Sequence, residues 1–227
     1  MPYSVTPTLL DAADFLENCP PNWKDAALEG LTAKIQRKPF EPSAAILRGI
    51  DFETHVQRAV EAAKTSGKPL DDVATGSEHF LQVCRICEGA TFQTWGQTVL
   101  DLEGYGPARC YGKVDAFFPV AHERHPEGLI IDLKTTGNYR GPKKYLSGWQ
   151  HIFYASFFLI AKFQYVVAEW ADAEAFAIKA IHIVETENDP TLALEKMREG
   201  IDKFFFTLKK YDLWDDYRAT YCKRKTI

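Results

Sequence analysis

The sequence predicts an α/β chain in which helices flank a mixed central β-sheet, and three observations support that class. Three strand-like runs rich in β-branched and aromatic residues, TFQTWGQTVLDLEGY, ARCYGKVDAFFPV and GLIIDLKTT, follow one another between residues 91 and 136. Apolar residues at helical spacing precede and follow them. After residue 136 helix and strand patterns alternate, the order produced when helices cover a sheet.

The elements follow in order. TPTLLDAADFLENCP reads as a short helix ended by Pro20 and Pro21. A second helix is expected after Pro42, with Ser43 as its cap and Gly67 as its stop, and with Ile46, Phe52, Val56 and Val60 at near-helical spacing. A third covers Val73 to Cys87. The first two strand runs form a hairpin around Gly104 to Pro107, and the third begins at Gly128. KKYLSGWQHIFYASFFLIAKF is then a mostly buried helix, YVVAEWAD and AFAIKAIHIVETE are two more strands, and Asp189-Pro190 opens a final helix. Leu194, Met197, Ile201, Phe204 and Leu208 share one face of that helix.

At 227 residues, 46% of them hydrophobic and 26% charged, the chain can bury a real core. A single domain is expected, with N-terminal helices over 1–90, a sheet and helix over 91–186 and a C-terminal helix over 190–218. No apolar run approaches the roughly 20 residues of a membrane span, and the first residues lack a basic segment followed by an apolar one. Five cysteines at irregular spacing argue against a disulfide framework. A soluble, cytoplasmic protein is the expectation. The net charge of −4 argues against gripping nucleic acid by bulk charge alone. Local basic clusters occur at Arg140, Lys143 and Lys144, and at Lys223, Arg224 and Lys225, the latter read as solvated surface charge.

The stretch GLIIDLKTTGNYRG places an acid and a base, Asp132 and Lys134, two residues apart at the end of an apolar strand. In a strand such residues share a face, so Ile130, Asp132 and Lys134 point one way and Ile131, Leu133 and Thr135 the other. Upstream, Asp115 interrupts the apolar run YGKVDAFFP. Two strand carboxylates near each other repel, and burial costs each of them several kcal/mol unless it is compensated (~). A divalent cation with oxygen ligands would resolve both problems; a structural Asp–Lys pair is the alternative. Gln150 and Tyr154, one helical turn apart in the next helix, share a face and need hydrogen-bond partners, which phosphate or base groups could supply.

Asp115, then Asp132-Leu133-Lys134, then Gln150-His151-Ile152-Phe153-Tyr154 resembles the RecB-like branch of the PD-(D/E)xK nuclease superfamily. LRGIDFETHV resembles the first motif of that branch, which puts Glu53 at the site with His55 as a rival, and LLDAADFLENCPPNW resembles the segment where a helix leads into Cys-Pro. The resemblance implies a restriction-endonuclease-like core and an enzyme hydrolysing DNA phosphodiesters, an exonuclease of recombination, repair or phage replication. It implies Mg²⁺ or Mn²⁺ held by Glu53, Asp115, Asp132 and the Leu133 carbonyl, with Lys134 acting on the attacking water or the phosphoryl group. Gln150, Tyr154, Lys143, Lys144, Arg140 and Thr135 would contact DNA. A recombination partner protein and an oligomer are compatible with this reading. Some members hold an iron–sulfur cluster on four cysteines; here only Cys222 stands near the end, so no cluster is expected, although Cys19, Cys84, Cys87 and Cys110 could in principle be gathered. Two other readings are a nuclease-fold module that grips DNA without cutting and a metal-dependent hydrolase of small phosphates.

Overall fold

A computed structural model describes residues 2–171 and 177–222. The basic tail Lys223, Arg224 and Lys225 and the start of the AFAIKAIHIVETE run lie outside the described residues. The chain opens with a short strand β1 (Tyr3–Val5) and helix α1 (Pro7–Asn18). A 3-10 turn (Pro21–Trp23) leads to α2 (Lys24–Ile35), then come α3 (Ala44–Ser66), α4 (Leu70–Val73) and α5 (Glu78–Ile86). The hairpin of β2 (Thr91–Leu102) and β3 (Gly106–Phe118) precedes β4 (Leu129–Thr136). Two helices, α6 (Lys143–Leu146) and α7 (Gln150–Phe158), lead to β5 (Lys162–Trp170) and β6 (Ile178–Glu187). Helices α8 (Pro190–Lys210) and α9 (Trp214–Tyr221) follow.

The strands form one mixed sheet in the order β1-β3-β4-β5-β6, with β2 paired to the other edge of β3. β1 and β4 pair with opposite ends of β3, β1 at Ala108 to Cys110 and β4 at Ala116 to Phe118. Between those contacts, that edge of β3 has no strand partner among the described residues. β4 is meanwhile held along its length by β5, in parallel from Ile130 to Thr136.

The alternation of β4 sorts its residues into two cores. Ile131 and Leu133 pack with Phe52, Val56 and Val60 of α3 and Val83 of α5, whereas Ile130 packs on the opposite face with Phe153 and Tyr154 of α7 and Met197, Ile201 and Phe204 of α8. Each fully buried side chain of this kind contributes about 1.5–3 kcal/mol, so the α8 stripe is a principal anchor of its layer.

The sequence expectations for α1, α3 and the hairpin agree with the structure. Ser43 Oγ accepts from the Ile46 amide at 3.4 Å and Gly67 adopts φ 66°, as a cap and a left-handed stop require. Three boundaries and one burial differ. The helix expected from Val73 to Cys87 is broken after Val73, and Ser77 caps a new one by accepting from the Phe80 amide at 3.2 Å. The helix expected over 143–163 is split at Ser147-Gly148 and stops at Leu159, where φ is 55°. The final helix turns at Asp212, φ 56°, so that α9 is separate. Ile46 is 43% exposed, so the apolar stripe of α3 begins only at Phe52.

Tight packing on α7 depends on two glycines. The indole of Trp149, just before α7, lies against Gly200 of α8, and a Cβ there would stand within 2.2 Å of Cη2. Gly112 of β3 likewise receives the Tyr154 ring, with a Cβ only 2.7 Å from Cε1. Overpacking of this kind costs about 1–3 kcal/mol. Gly200→Ala is therefore expected to lower the unfolding free energy by about that amount, read from the denaturant midpoint at unchanged slope.

Candidate active site

The site forms where β3 and β4 part. Their antiparallel ladder ends at Ala116 opposite Ile131, and the same register continued would set Asp115 opposite Asp132. Instead the strands separate, and side chains take up the groups the ladder leaves unpaired. Asp115 Oδ2 accepts from the Leu133 amide at 2.9 Å, and the Tyr154 hydroxyl donates to the Lys113 carbonyl at 3.0 Å. Gln150 Nε2 donates to Asp132 Oδ1 at 3.0 Å, and Lys134 Nζ lies 2.5 Å from Asp132 Oδ2. Beyond that ammonium, the buried Oδ2 has no directed hydrogen-bond donor.

Charge is concentrated here. Burial pushes the Asp115 carboxyl well above the usual range, and Asp132 and Glu53 push it further. Burial also raises Asp132 against the opposing effect of Lys134, and raises Glu53, which feels Lys134, Asp132 and Lys113. Burial alone would lower Lys134, but Asp132, Asp115 and Glu53 together outweigh it and hold the ammonium above the ordinary lysine range. Glu53 thus faces the carboxylates from α3. His55 is exposed, with Nδ1 2.6 Å from the Asp51 carbonyl, and borders a separate hollow with Phe80 and Trp170. A Cβ at Gly49, one turn before Glu53, would stand 3.2 Å from Thr135 Oγ1, so α3 runs close to β4 at this point.

A cleft of about 510 Å³ opens beside these groups, lined among others by Asp11, Asp14, Lys134, Thr135, Lys144 and Gln150. Lys134 and Gln150 form part of its wall, and Asp132, 2% exposed, lies beneath them. Arg140 and Lys143 are exposed but are not among the residues lining it, and Thr135 also lines a hollow beside Arg48. Tyr154 departs from the expectation of a DNA contact: it is buried, and its hydroxyl is used by the Lys113 carbonyl. The helix face shared with Gln150 points at the strand split rather than outward.

Glu53, Asp115, Asp132 and the Leu133 carbonyl are an all-oxygen donor set, which suits a hard divalent cation, and mutually repelling carboxylates are what such an ion would relieve. As arranged, however, no three His, Cys, Asp or Glu side chains among the described residues converge closely enough to hold one. The Asp132 oxygens are turned onto Lys134 and Gln150, and Asp115 Oδ2 onto the Leu133 amide. Cys19 and Cys110 lie in one core and Cys84 and Cys87 in the other, so the sheet stands between the two pairs. Burial pushes the Cys84 and Cys110 thiols up to about 12.

Several supporting residues had no signal in the sequence beyond their type. Asp11 Oδ1 accepts from the Trp149 amide at 2.9 Å and Asp14 Oδ2 from its indole at 2.7 Å, which fixes the start of α7 and hence Gln150. Glu169 accepts from the Tyr139 amide at 3.0 Å, and from Lys179 and His182, while the Tyr139 ring stacks on His182 at 3.8 Å. These contacts pin the loop that leaves β4. Glu169 is held down at about 2, chiefly by the Tyr139 amide.

No family model matches the chain, and no curated protein matches it. Solved structures similar to it include an alkaline exonuclease (LHK-Exo) from Laribacter hongkongensis, at 11% identity and a TM-score of 0.48 over 95% of this chain and 93% of that one. A phage-related exonuclease from Haemophilus somnus 129PT is similar at 13% identity and a TM-score of 0.43, over 95% of each chain. The protein SSO0001 is similar at 13% identity and a TM-score of 0.47, over 89% of this chain and 76% of that one. No helix among the described residues is long and apolar enough to cross a membrane.

A carboxyl whose pKa is raised on folding costs stability fully above its folded pKa and not at all below the ordinary aspartate value. Asn at position 115 can still accept from the Leu133 amide. Asp115→Asn is therefore expected to raise the melting temperature in EDTA at pH 7 by about 2–4 °C, the shift produced by roughly 1 kcal/mol in a chain of this size. The gap should close as the pH falls toward about 4, read by differential scanning calorimetry.

Proposed function

We propose that the protein is a metal-dependent deoxyribonuclease, in the first instance an exonuclease. The observation that carries this reading is the gathering of Asp115, Asp132, Lys134 and Glu53 at the strand split, beside an open cleft. Asp115, Asp132, the Leu133 carbonyl and Glu53 would hold Mg²⁺ or Mn²⁺. When bound, such an ion lowers the pKa of a water and offsets charge on the phosphate.

The chain's own residues carry the rest. Lys134 is a third exposed and borders the cleft, so a rotamer change takes its ammonium from Asp132 to a phosphate oxygen or to the attacking water. Asp132, released from Lys134, would then be available to help hold the ion, while the substrate would gain a point charge. Gln150 keeps the other oxygen of Asp132 oriented. Tyr154, as a support beneath the site, fixes the Lys113 carbonyl where the strands part. Lys144, Lys143 and Arg140 would contact flanking phosphates, and Thr135 would donate at the cleft edge. The covered, ion-paired state of Asp132 favours one competing reading, a nuclease-fold module that binds DNA without cutting it.

Purified protein is expected to degrade linear DNA with Mg²⁺ or Mn²⁺ and not with EDTA, sparing closed circular duplex. Asp132→Ala, Asp115→Ala and Lys134→Ala should each lower cleavage by more than about 10²-fold with the fold intact. Calorimetry should find metal binding weakened by the aspartate changes and largely kept by Lys134→Ala. DNA bound but uncut under every metal condition would establish the silent module instead.

A further inference from the structure

The outer face of the β2–β3 hairpin carries a second set of side chains without an assigned role. On its inner face Gly96 and Gly112 lie opposite each other and receive the aromatic rings of α7. On the outer face the register sets Trp95 against Lys113, Gln97 against Tyr111 and Val99 against Arg109. Trp95 is 67% exposed and Val99 62%. The Trp95 and Tyr111 rings are 6.4 Å apart, tilted by 37°. The Arg109 guanidinium lies 5.3 Å over the Tyr111 ring and donates to Gln97 Oε1 at 3.0 Å. At one end Lys113 stands two residues before Asp115 and its carbonyl accepts from the Tyr154 hydroxyl at 3.0 Å, so the strip abuts the carboxylate cluster. At the hairpin tip it stops at Asp101 and Glu103, which are exposed acids.

Resting on the nuclease reading above, the geometry points to this strip as the track of a single-stranded segment of the nucleic acid, bases on Trp95 and Tyr111 and phosphates on Arg109 and Lys113. Exposed Trp95 lies across from Lys113, and half-buried Tyr111 stands between Lys113 and Arg109, so rings and cations share one strip, as the flat bases and anionic phosphates of an unpaired strand require. A paired duplex keeps its bases stacked within and offers nothing to the rings. The five residues from Trp95 to Val99 span about 13 Å at strand spacing, room for a few nucleotides before the acidic tip repels the backbone. Both cations sit on an otherwise acidic chain, and a polyanion is their natural complement. The strip therefore makes the substrate class specific: DNA with a single-stranded end or tail.

The test measures fluorescein-labelled oligothymidylate binding by anisotropy in EDTA, beside metal-dependent hydrolysis of thymidine 5′-p-nitrophenyl phosphate, which is too short to reach the strip. Trp95→Ala and Tyr111→Ala are expected to weaken oligonucleotide binding about five-fold or more, with the small ester hydrolysed at the native rate. Trp95→Phe should restore binding. Ultraviolet cross-linking of 5-iodouracil-substituted oligonucleotide to the unaltered protein should place adducts on Trp95 or Tyr111. Native affinity in both alanine variants, or adducts only elsewhere, overturns the track. So does native DNA affinity combined with loss of a self-association seen by sedimentation, which would make the face a protein contact. If no phosphodiester is cut but Trp95-dependent binding persists, the track stands and the nuclease reading falls.

Discussion

The fork between β3 and β4 is the constraint on which the rest of the structure depends. A ladder that continued past Ala116 and Ile131 would bring two carboxylates face to face with no room for anything between them. Opening the ladder removes that clash, but it strips hydrogen bonds from backbone groups in a largely dry interior, where each orphan is costly. The chain meets the cost with side chains: Asp115 serves the Leu133 amide, and Tyr154 serves the Lys113 carbonyl. The same substitutions that satisfy the backbone hold the acids in place. Pairing of β4 to β5 is what keeps β4 straight while β3 turns away.

The electrostatics at the fork are unresolved by design of the sequence, with Asp115, Asp132 and Glu53 against Lys134. A chain selected for stability alone would replace such a group by apolar residues of similar size. Keeping it makes sense where the excess negative charge has a visitor to receive. Lys134 acts as the resident counter-charge, and it is partly exposed at the cleft wall.

Much of this was legible from the residues and some was not. Asp132 and Lys134 stand at the end of β4 on the α7 side because period-two alternation allows nothing else once Ile131 and Leu133 face α3. Ser43 and Gly67 bounded α3 correctly because capping is local chemistry. β1 went unforeseen because its three residues are a strand only by pairing with β3. α2, with weak amphipathic pattern, gave little periodicity to follow. The split of the 143–163 helix depends on Asp11 taking the Trp149 amide from 138 residues away, which no window along the chain contains. The direction of Tyr154 was likewise set by Gly112, a glycine whose purpose is invisible until the ring lies over it.

The seating of Trp149 on Gly200 has a temporal consequence. The residue that starts α7 is held from one side by Asp11 and Asp14 and from the other by α8. Gln150 follows it directly, so its bond to Asp132 draws on a position that helix α8, which begins at Pro190, helps to hold. Contacts so distant along the chain form late. During synthesis, a ribosome-bound chain would therefore carry every acid of the cluster for dozens of residues before Gln150 is fixed over Asp132.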